Sequence, residues 1–167
     1  HLIDTPGTAD FLGQSLPALE AVETAAVVIG APTGIETMAE RMMSYAAQRE
    51  RCRLIVVNKI DAQGVDLAAL VAQIQATFGK ECLPLNLPDA GGSKVVDCFY
   101  NREGHSDFGS VDSAHRSLVE QVVEVDADFV DRYLNDGDID PGELHAPLEQ
   151  ALREGHLIPV CFVSARS

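Results

Sequence analysis

The tetrapeptide Asn58-Lys59-Ile60-Asp61 directly follows the apolar run RLIVV and carries side chains that could recognise guanine. Open parallel sheets bind their ligands at the carboxyl ends of strands, which is where this tetrapeptide would stand. The Asp61 carboxylate can accept two hydrogen bonds, from the ring N–H and the exocyclic amine of guanine, whereas adenine presents a lone pair there. The Asn58 amide can bond the other edge of the base, and the Lys59 stem can lie over its plane.

A second stretch, Val163-Ser164-Ala165, ends another apolar run near the far end of the chain. There the backbone N–H of Ala165 could donate to the guanine carbonyl oxygen, and Ser164 could orient the loop. A Ser-Ala pair has almost no specificity by itself, and the tetrapeptide at 58–61 could also be a simple helix N-cap.

A third stretch, Asp4-Thr5-Pro6-Gly7, stands at the start of the chain and begins at the last residue of the strand-like run 2–4. Asp-x-x-Gly after a strand is typical of nucleotide hydrolases, which use it to sense a terminal phosphate. An ordinary strand-to-helix turn is the alternative interpretation. The three stretches in this order, each after an apolar run, are much more specific together than any one of them alone.

Short apolar runs alternate with helical patterns through the first half of the chain. Apolar strands separated by helices predict an α/β fold whose parallel sheet is covered on both faces. The predicted strands are residues 2–4, 25–31, 53–58 and 161–164, and the predicted helices are 13–22, 36–50 and 66–78.

Between residues 80 and 155 the pattern changes to strands joined by a turn, followed by acidic helices. The predicted strands are 82–88 and 94–100, and the predicted helices are 113–134 and 142–154, ending near Gly137 and Gly155. We interpret 80–155 as a subdomain inserted into a core formed by 1–79 and 156–167. Because an insertion needs its ends close together, the runs 53–58 and 157–163 should be neighbours in the sheet.

The motifs resemble those of the translational GTPases, and most closely those of elongation factor G and its elongation factor G-like relatives. DTPGTADF is similar to the family's DTPGHVDF switch region, NKID to its guanine-specificity motif and VSA to its G-S-A loop. The resemblance spans essentially all 167 residues, because LPLNLP, KVVDCF and DADFVDRYL resemble the subdomain that this family inserts. It implies a partial P-loop-GTPase-type parallel sheet flanked by helices, with an inserted α+β subdomain.

This resemblance implies GTP or GDP and Mg²⁺ as ligands. Asp4 would hold Mg²⁺ through water, and the Gly7 backbone N–H would contact the γ-phosphate. The implied nucleotide-binding residues are Asp4, Thr5, Pro6, Gly7, Asn58, Lys59, Asp61, Ser164 and Ala165. The family usually has His directly after D-x-x-G, at a catalytic position, but this chain has Thr8, whose hydroxyl neither reaches as far nor carries the same charge.

The function implied is GTP binding and hydrolysis in a translation factor that acts on the ribosome. Thr8 motivates an alternative, a GTP-dependent ribosome-binding module with little or no hydrolysis, and an unrelated α/β enzyme that happens to carry NKID stays open. The family's insertion meets the ribosomal stalk, so the acidic helical face is either a solvated surface or a docking face for a basic partner. This face comprises Glu120, Glu124, Asp126, Asp128 and Asp131.

Composition limits the partners and the compartment. Twelve basic and 26 acidic residues give a formal charge of −14, which argues against direct nucleic-acid binding by these residues. The apolar runs are far shorter than the ~20 residues that a membrane span requires. The four cysteines, Cys52, Cys82, Cys98 and Cys161, form no C-x-x-C pair and predict buried thiols in a reducing cytoplasm.

The glycine-rich phosphate loop G-x-x-x-x-G-K-[ST] does not occur in these 167 residues, and His1 begins inside a strand-like run. We interpret the chain as a piece of a larger protein and expect that loop upstream of His1. Because the loop supplies most of the groups that hold the β- and γ-phosphates, the 167 residues alone should neither bind GTP tightly nor hydrolyse it.

Overall fold

The computed structural model describes residues 1–136, 139 and 141–166. Its helices are α1 (Leu12–Glu20), α2 (Thr37–Gln48), α3 (Leu67–Phe78), α4 (Val111–Val123), α5 (Ala127–Asp136) and α6 (His145–Glu154). Its strands are β1 (Thr24–Gly30), β2 (Cys52–Asn58), β3 (Cys82–Pro84), β4 (Asn86–Asp89), β5 (Lys94–Asp97) and β6 (Ile158–Phe162). The predicted helices at 13–22, 36–50 and 66–78 are confirmed to within three residues at each end.

The main sheet has four parallel strands in the order β1-β2-β6-β3. In its register Val28 stands beside Val56, and Val56 stands beside Cys161. The predicted pairing of the runs 53–58 and 157–163 is therefore confirmed. It brings the carboxyl ends of β2 and β6, and the motifs that follow them, to the same edge of the sheet.

Alternating side chains of the sheet build the main core. Ile55, Val57 and Phe162 are fully buried and pack with Met43 of α2 and Ile74 of α3. The α/β fold with a parallel sheet flanked by helices is thus confirmed. The expectation that both faces are covered fails at β1, whose outward-facing Val28 is 61% exposed.

Residues 2–4, predicted as a strand, form none. Leu2 is 94% exposed and Ile3 is 48% exposed, and the main sheet begins with β1. A strand requires a neighbour for its backbone N–H and C=O groups, and among the described residues 2–4 have no such neighbour. The apolar pattern alone was therefore insufficient.

The run 82–88, predicted as one strand, is divided between two sheets. β3 pairs with β6 in the main sheet, whereas β4 pairs antiparallel with β5. Leu85 joins the two sheets, since its N–H donates to Val160 O (2.9 Å) and its carbonyl accepts from Cys98 N–H (2.9 Å). The main sheet thus continues to Pro84, and β5 ends at Asp97 rather than at residue 100. The division of the chain at residue 80 stays a prediction.

The second core lies between the two-stranded sheet and α4 and α6. Leu87 of β4, Leu118 of α4 and Ala151 of α6 are buried in it. The single helix predicted at 113–134 is broken into α4 and α5, because the Asp126 carboxylate accepts a hydrogen bond from Asp128 N–H (2.9 Å) and starts a new helix. The predicted end of α5 near Gly137 lies outside the described residues. The predicted end near Gly155 is confirmed, with Gly155 in the left-handed conformation.

The four cysteines are free thiols in two environments. Cys82 and Cys98 are buried, and desolvation raises the pKa of Cys82 to about 12 and that of Cys98 to about 11. Cys52 and Cys161 are only half-buried, so the prediction of buried thiols was wrong for these two. No helix among the described residues is long and apolar enough to cross a membrane.

Candidate guanine-nucleotide site

The loop Asn58–Asp61 begins at the last residue of β2 and turns sharply. Lys59 adopts a left-handed conformation, with φ of 63°. The Asn58 side-chain Oδ1 accepts a hydrogen bond from Lys59 N–H (2.7 Å), which stabilises the turn from within. The Asn58 carbonyl accepts from Ala31 N–H (2.8 Å), which ties the loop to the end of β1. The loop is therefore held by its own asparagine and by the neighbouring strand.

Ile60 anchors the loop in the main core and was assigned no role from sequence. Its side chain is 4% exposed and packs in the cluster formed by the sheet, α2 and α3. Its backbone N–H makes a long contact of 3.5 Å with Val163 O. An apolar residue between the lysine and the aspartate was the signal available in the sequence, because a loop residue that is apolar often serves as an anchor.

Ser164 joins the two motifs that follow β2 and β6. Its Oγ donates to Asp61 Oδ1 (2.9 Å) and accepts from Arg166 N–H (3.2 Å). The bond spans 103 positions of sequence and fixes one carboxylate oxygen of Asp61. Because Asp61 is exposed, its carboxylate faces solvent at the edge of the sheet, where a planar base with two adjacent N–H donors can reach it. Ala165, the next residue, is exposed beside it.

The stretch Asp4–Gly7 is exposed apart from the half-buried Thr5. Its hydrogen bond runs to α1, where Ser15 Oγ donates to Pro6 O (2.9 Å) from a side chain that is only 2% exposed. Ser15 was not singled out from the sequence. Among the described residues, the hydrogen bonds and ion pairs do not bring 4–8 together with the loop at 58–61, whereas they do bring Asp61 and Ser164 together.

Thr8 precedes a short 3-10 turn, Ala9–Phe11, in extended conformation. Its side chain is exposed and makes no capping hydrogen bond to that turn. The hydroxyl is thus uncommitted to the turn that follows it.

Asp4 is a single exposed carboxylate, and among the described residues no group of three or more His, Cys, Asp or Glu side chains is arranged to hold a metal ion. A lone carboxylate oxygen fits the way Mg²⁺ is usually held with a nucleotide, by one or two carboxylates together with waters and substrate phosphates.

Comparison with known proteins identifies the family. The family described as "Elongation factor Tu GTP binding domain" matches residues 1–167. The chain belongs to this family. The predicted membership in the translational GTPases is thereby confirmed, and the relatives it resembles carry the name that the motifs suggested.

The chain is 26% identical to an elongation factor G-like protein of Thermotoga maritima, over 99% of this chain and 26% of that protein. It is 29% identical to an elongation factor G-like protein of Mycobacterium tuberculosis, over 96% of this chain and 24% of that protein. A crystal structure of a Thermus thermophilus protein is similar with a TM-score of 0.82 and 30% identity, covering 98% of this chain and 27% of that one. The chain thus spans about a quarter of the length of the relatives it matches.

Proposed function

We propose that these residues recognise guanine nucleotides within an elongation factor G-like protein that hydrolyses GTP on the ribosome in the cytoplasm. The observation that carries this proposal is the hydrogen bond from Ser164 Oγ to Asp61 Oδ1. It unites two motifs that are remote in sequence at the carboxyl ends of adjacent parallel strands, where such sheets bind ligands.

In this proposal Asp61 accepts the two N–H groups of guanine, and Ala165 N–H donates to the guanine carbonyl oxygen. Asn58 and Lys59 shape the pocket, one by holding the turn and the other by lying along the base. Asp4 would hold Mg²⁺ through water, and Thr5, Pro6 and Gly7 would face the phosphates. Bound Mg²⁺ would neutralise charge that develops on the phosphates during transfer.

The base assignment is tested by Asp61→Asn in the full-length protein. An amide presents a donor to the carbonyl that xanthine has in place of the guanine amine, so preference should shift from GTP toward xanthosine triphosphate. Competition binding measures the ratio of the two affinities. Asp66→Asn is the matched control, because Asp66 caps α3 through Ala69 N–H (2.9 Å) and asparagine caps equally well. Unchanged guanine selectivity in Asp61→Asn would remove this residue from the base site.

The ribosome is the proposed partner, with the acidic face as the docking surface for a basic component such as the stalk. Four of the five acidic residues are exposed, and they stand along the end of α4, the junction and the start of α5. The exposed members are Glu120, Glu124, Asp128 and Asp131. Clustered surface charge favours encounter with a complementary patch.

Thr8, which stands where the family usually has His, motivates a second candidate, a GTP-dependent ribosome-binding module with little hydrolysis. Single-turnover GTP hydrolysis by the full-length protein, with and without ribosomes, separates the two. The module predicts little stimulation by ribosomes and a clear gain in Thr8→His. Strong stimulation of the unaltered protein, at a rate that Thr8→His does not raise, would exclude it.

A further inference from the structure

The turn between β4 and β5, residues 90–93, lies directly against the loop Asn58–Asp61, which is called the recognition loop below. A Cβ atom built on Gly92 would stand 2.4 Å from Ile60 O and 2.9 Å from Asp61 N. Both atoms belong to the backbone, so a flexible side chain cannot relieve the clash. Gly92 is buried at this contact, whereas the adjacent Gly91 is exposed. The two main chains therefore touch at the peptide bond that leads into Asp61.

Three successive residues of this turn are left-handed, with φ of 53° at Ala90, 68° at Gly91 and 79° at Gly92. Asp107 holds this conformation from the following loop. Its carboxylate accepts from Gly91 N–H (3.2 Å) and Gly92 N–H (3.1 Å), and its own N–H donates to Pro88 O (2.8 Å). Asp107 thus holds the backbone of this turn independently of the contact with the recognition loop.

Besides the Asn58 side chain, the buried side chain of Ile60 and the contact of its N–H with Val163 O, three further segments support the recognition loop. Ala31 N–H binds the Asn58 carbonyl, Ser164 binds the Asp61 carboxylate, and Gly92 abuts the peptide that joins Ile60 to Asp61. The first two act at the ends of the loop. Of the three, Gly92 is the one that contacts the backbone immediately before Asp61, so its displacement would move that carboxylate relative to β6.

We propose that Gly92 is a positioning residue for Asp61, and that the 90–93 turn links the strand pair β4-β5 mechanically to guanine recognition. This inference rests on the proposed function, in which Asp61 binds the base. A ligand that needs two aligned hydrogen bonds is sensitive to small shifts of the carboxylate. Movement of the β4-β5 hairpin would consequently change the affinity for the nucleotide.

The chain offers a matched pair of variants, Gly92→Ala and Gly91→Ala. Both place a side chain at a left-handed position, so both should lose thermal stability, and Gly92→Ala should lose more because its Cβ also meets backbone atoms. Only Gly92→Ala meets the recognition loop, since a Cβ on Gly91 would have nothing within 4 Å. In the full-length protein, Gly92→Ala should weaken GDP binding by about tenfold or more relative to Gly91→Ala, and reduce discrimination against xanthosine diphosphate. Fluorescent-GDP titration and thermal unfolding give the two readouts.

Equal GDP affinities in the two variants would overturn the inference, provided that Asp61→Asn alters base preference in the same assay. Unchanged base preference in Asp61→Asn would instead defeat the proposed function. Should Gly92→Ala fail to fold, Asp107→Asn tests the same link, because an amide can accept only one of the two N–H bonds without rearrangement. Its control is Asp112→Asn, a half-buried aspartate that pairs with Arg102 and Arg116. Weaker GDP binding in Asp107→Asn alone supports the link, and identical binding in both contradicts it.

Discussion

A single hydroxyl, that of Ser164, connects the two sequence motifs of the candidate base site. It occupies one oxygen of Asp61 and accepts from Arg166 N–H, so it orders the carboxylate and the loop after β6 together. A hydrogen bond to an ionised acceptor is stronger than one between neutral groups. Ser164 thus pre-organises an otherwise exposed carboxylate, and a carboxylate that is already oriented loses less entropy when a base binds.

Ser164→Ala should therefore weaken guanine-nucleotide binding while leaving the fold intact. We expect a loss of roughly fivefold to tenfold, which is below the range for a charge-assisted bond, because both side chains are partly solvated. Equilibrium titration of the full-length protein with GDP measures the loss. Ser164→Thr keeps the hydroxyl and should retain most of the affinity. Equal losses in the two variants would show that the serine acts by packing rather than through its Oγ.

At the scale of elements, the β4-β5 hairpin carries an ion pair beside its turn. His105 Nδ1 lies 2.6 Å from Asp89 Oδ1, at the last residue of β4. The hydrogen bond to Asp89 raises the pKa of His105 above its usual 6.5, with Asp107 adding to the effect, and the same bond lowers the pKa of Asp89. Lys94, across the register from Asp89, lowers the pKa of Asp89 as well.

The His105–Asp89 pair predicts a pH dependence of the hairpin with a definite sign. The raised pKa of His105 gives a contribution that is complete below about pH 6.5 and lost as pH rises through the folded value. The lowered pKa of Asp89 gives a second contribution to the stability of the hairpin, and this contribution is lost as acid protonates the carboxylate. NMR titration of the His105 ring should give a pKa above 6.5. In Asp89→Asn the pKa of His105 should fall back toward 6.5. A titration unchanged by Asp89→Asn would show that the pair does not form in solution.

At the scale of the whole molecule, the main sheet and the hairpin region share contacts that make them one packed unit at residues 85–86. Asn86 acts as an extra strand partner for β6, since its side-chain amide donates to Phe162 O (3.2 Å) and its Oδ1 accepts from Phe162 N–H (2.7 Å). Phe108 packs against both cores and meets Phe162 edge-on at 5.7 Å. We therefore expect the two cores to unfold cooperatively.

The 167 residues alone should bind GTP weakly despite the loops proposed to recognise the base. Backbone N–H groups and a lysine of a glycine-rich loop normally hold the β- and γ-phosphates, and that loop does not occur in this sequence. Isothermal titration with GTP and Mg²⁺ should give a dissociation constant well above the order of 1 μM, which corresponds to about −8 kcal/mol. Any weak binding that persists should disappear in Asp61→Asn. Submicromolar binding would contradict the inference that most of the affinity for GTP comes from contacts between the glycine-rich loop and the phosphates.

Local patterns in the sequence were sufficient for the helices of the first half, for the parallel strands β1 and β2, and for placing NKID after a strand. The strand predicted at 161–164 exists as β6 but spans Ile158–Phe162. Amphipathic periodicity and apolar runs are short-range properties, and the end of a strand is a definite place in a parallel sheet. The strands predicted at 2–4 and 82–88 were wrong because these local patterns do not specify the pairing partner. Whether an apolar run pairs, and with which sheet, depends on neighbours that are distant in sequence.

Tertiary structure alone decided how the recognition loop is supported. Nothing in the sequence around Gly92 indicates that it meets Ile60, because the two are brought together by the path of the chain from β3 in the main sheet to β4 in the second sheet, and by the turn that Asp107 holds. The burial of Ser15 against Pro6 was equally invisible. Motif residues can be identified from sequence because the chemistry of a side chain is determined by its residue type. Supporting residues act through long-range packing, and they come together only when the chain has folded.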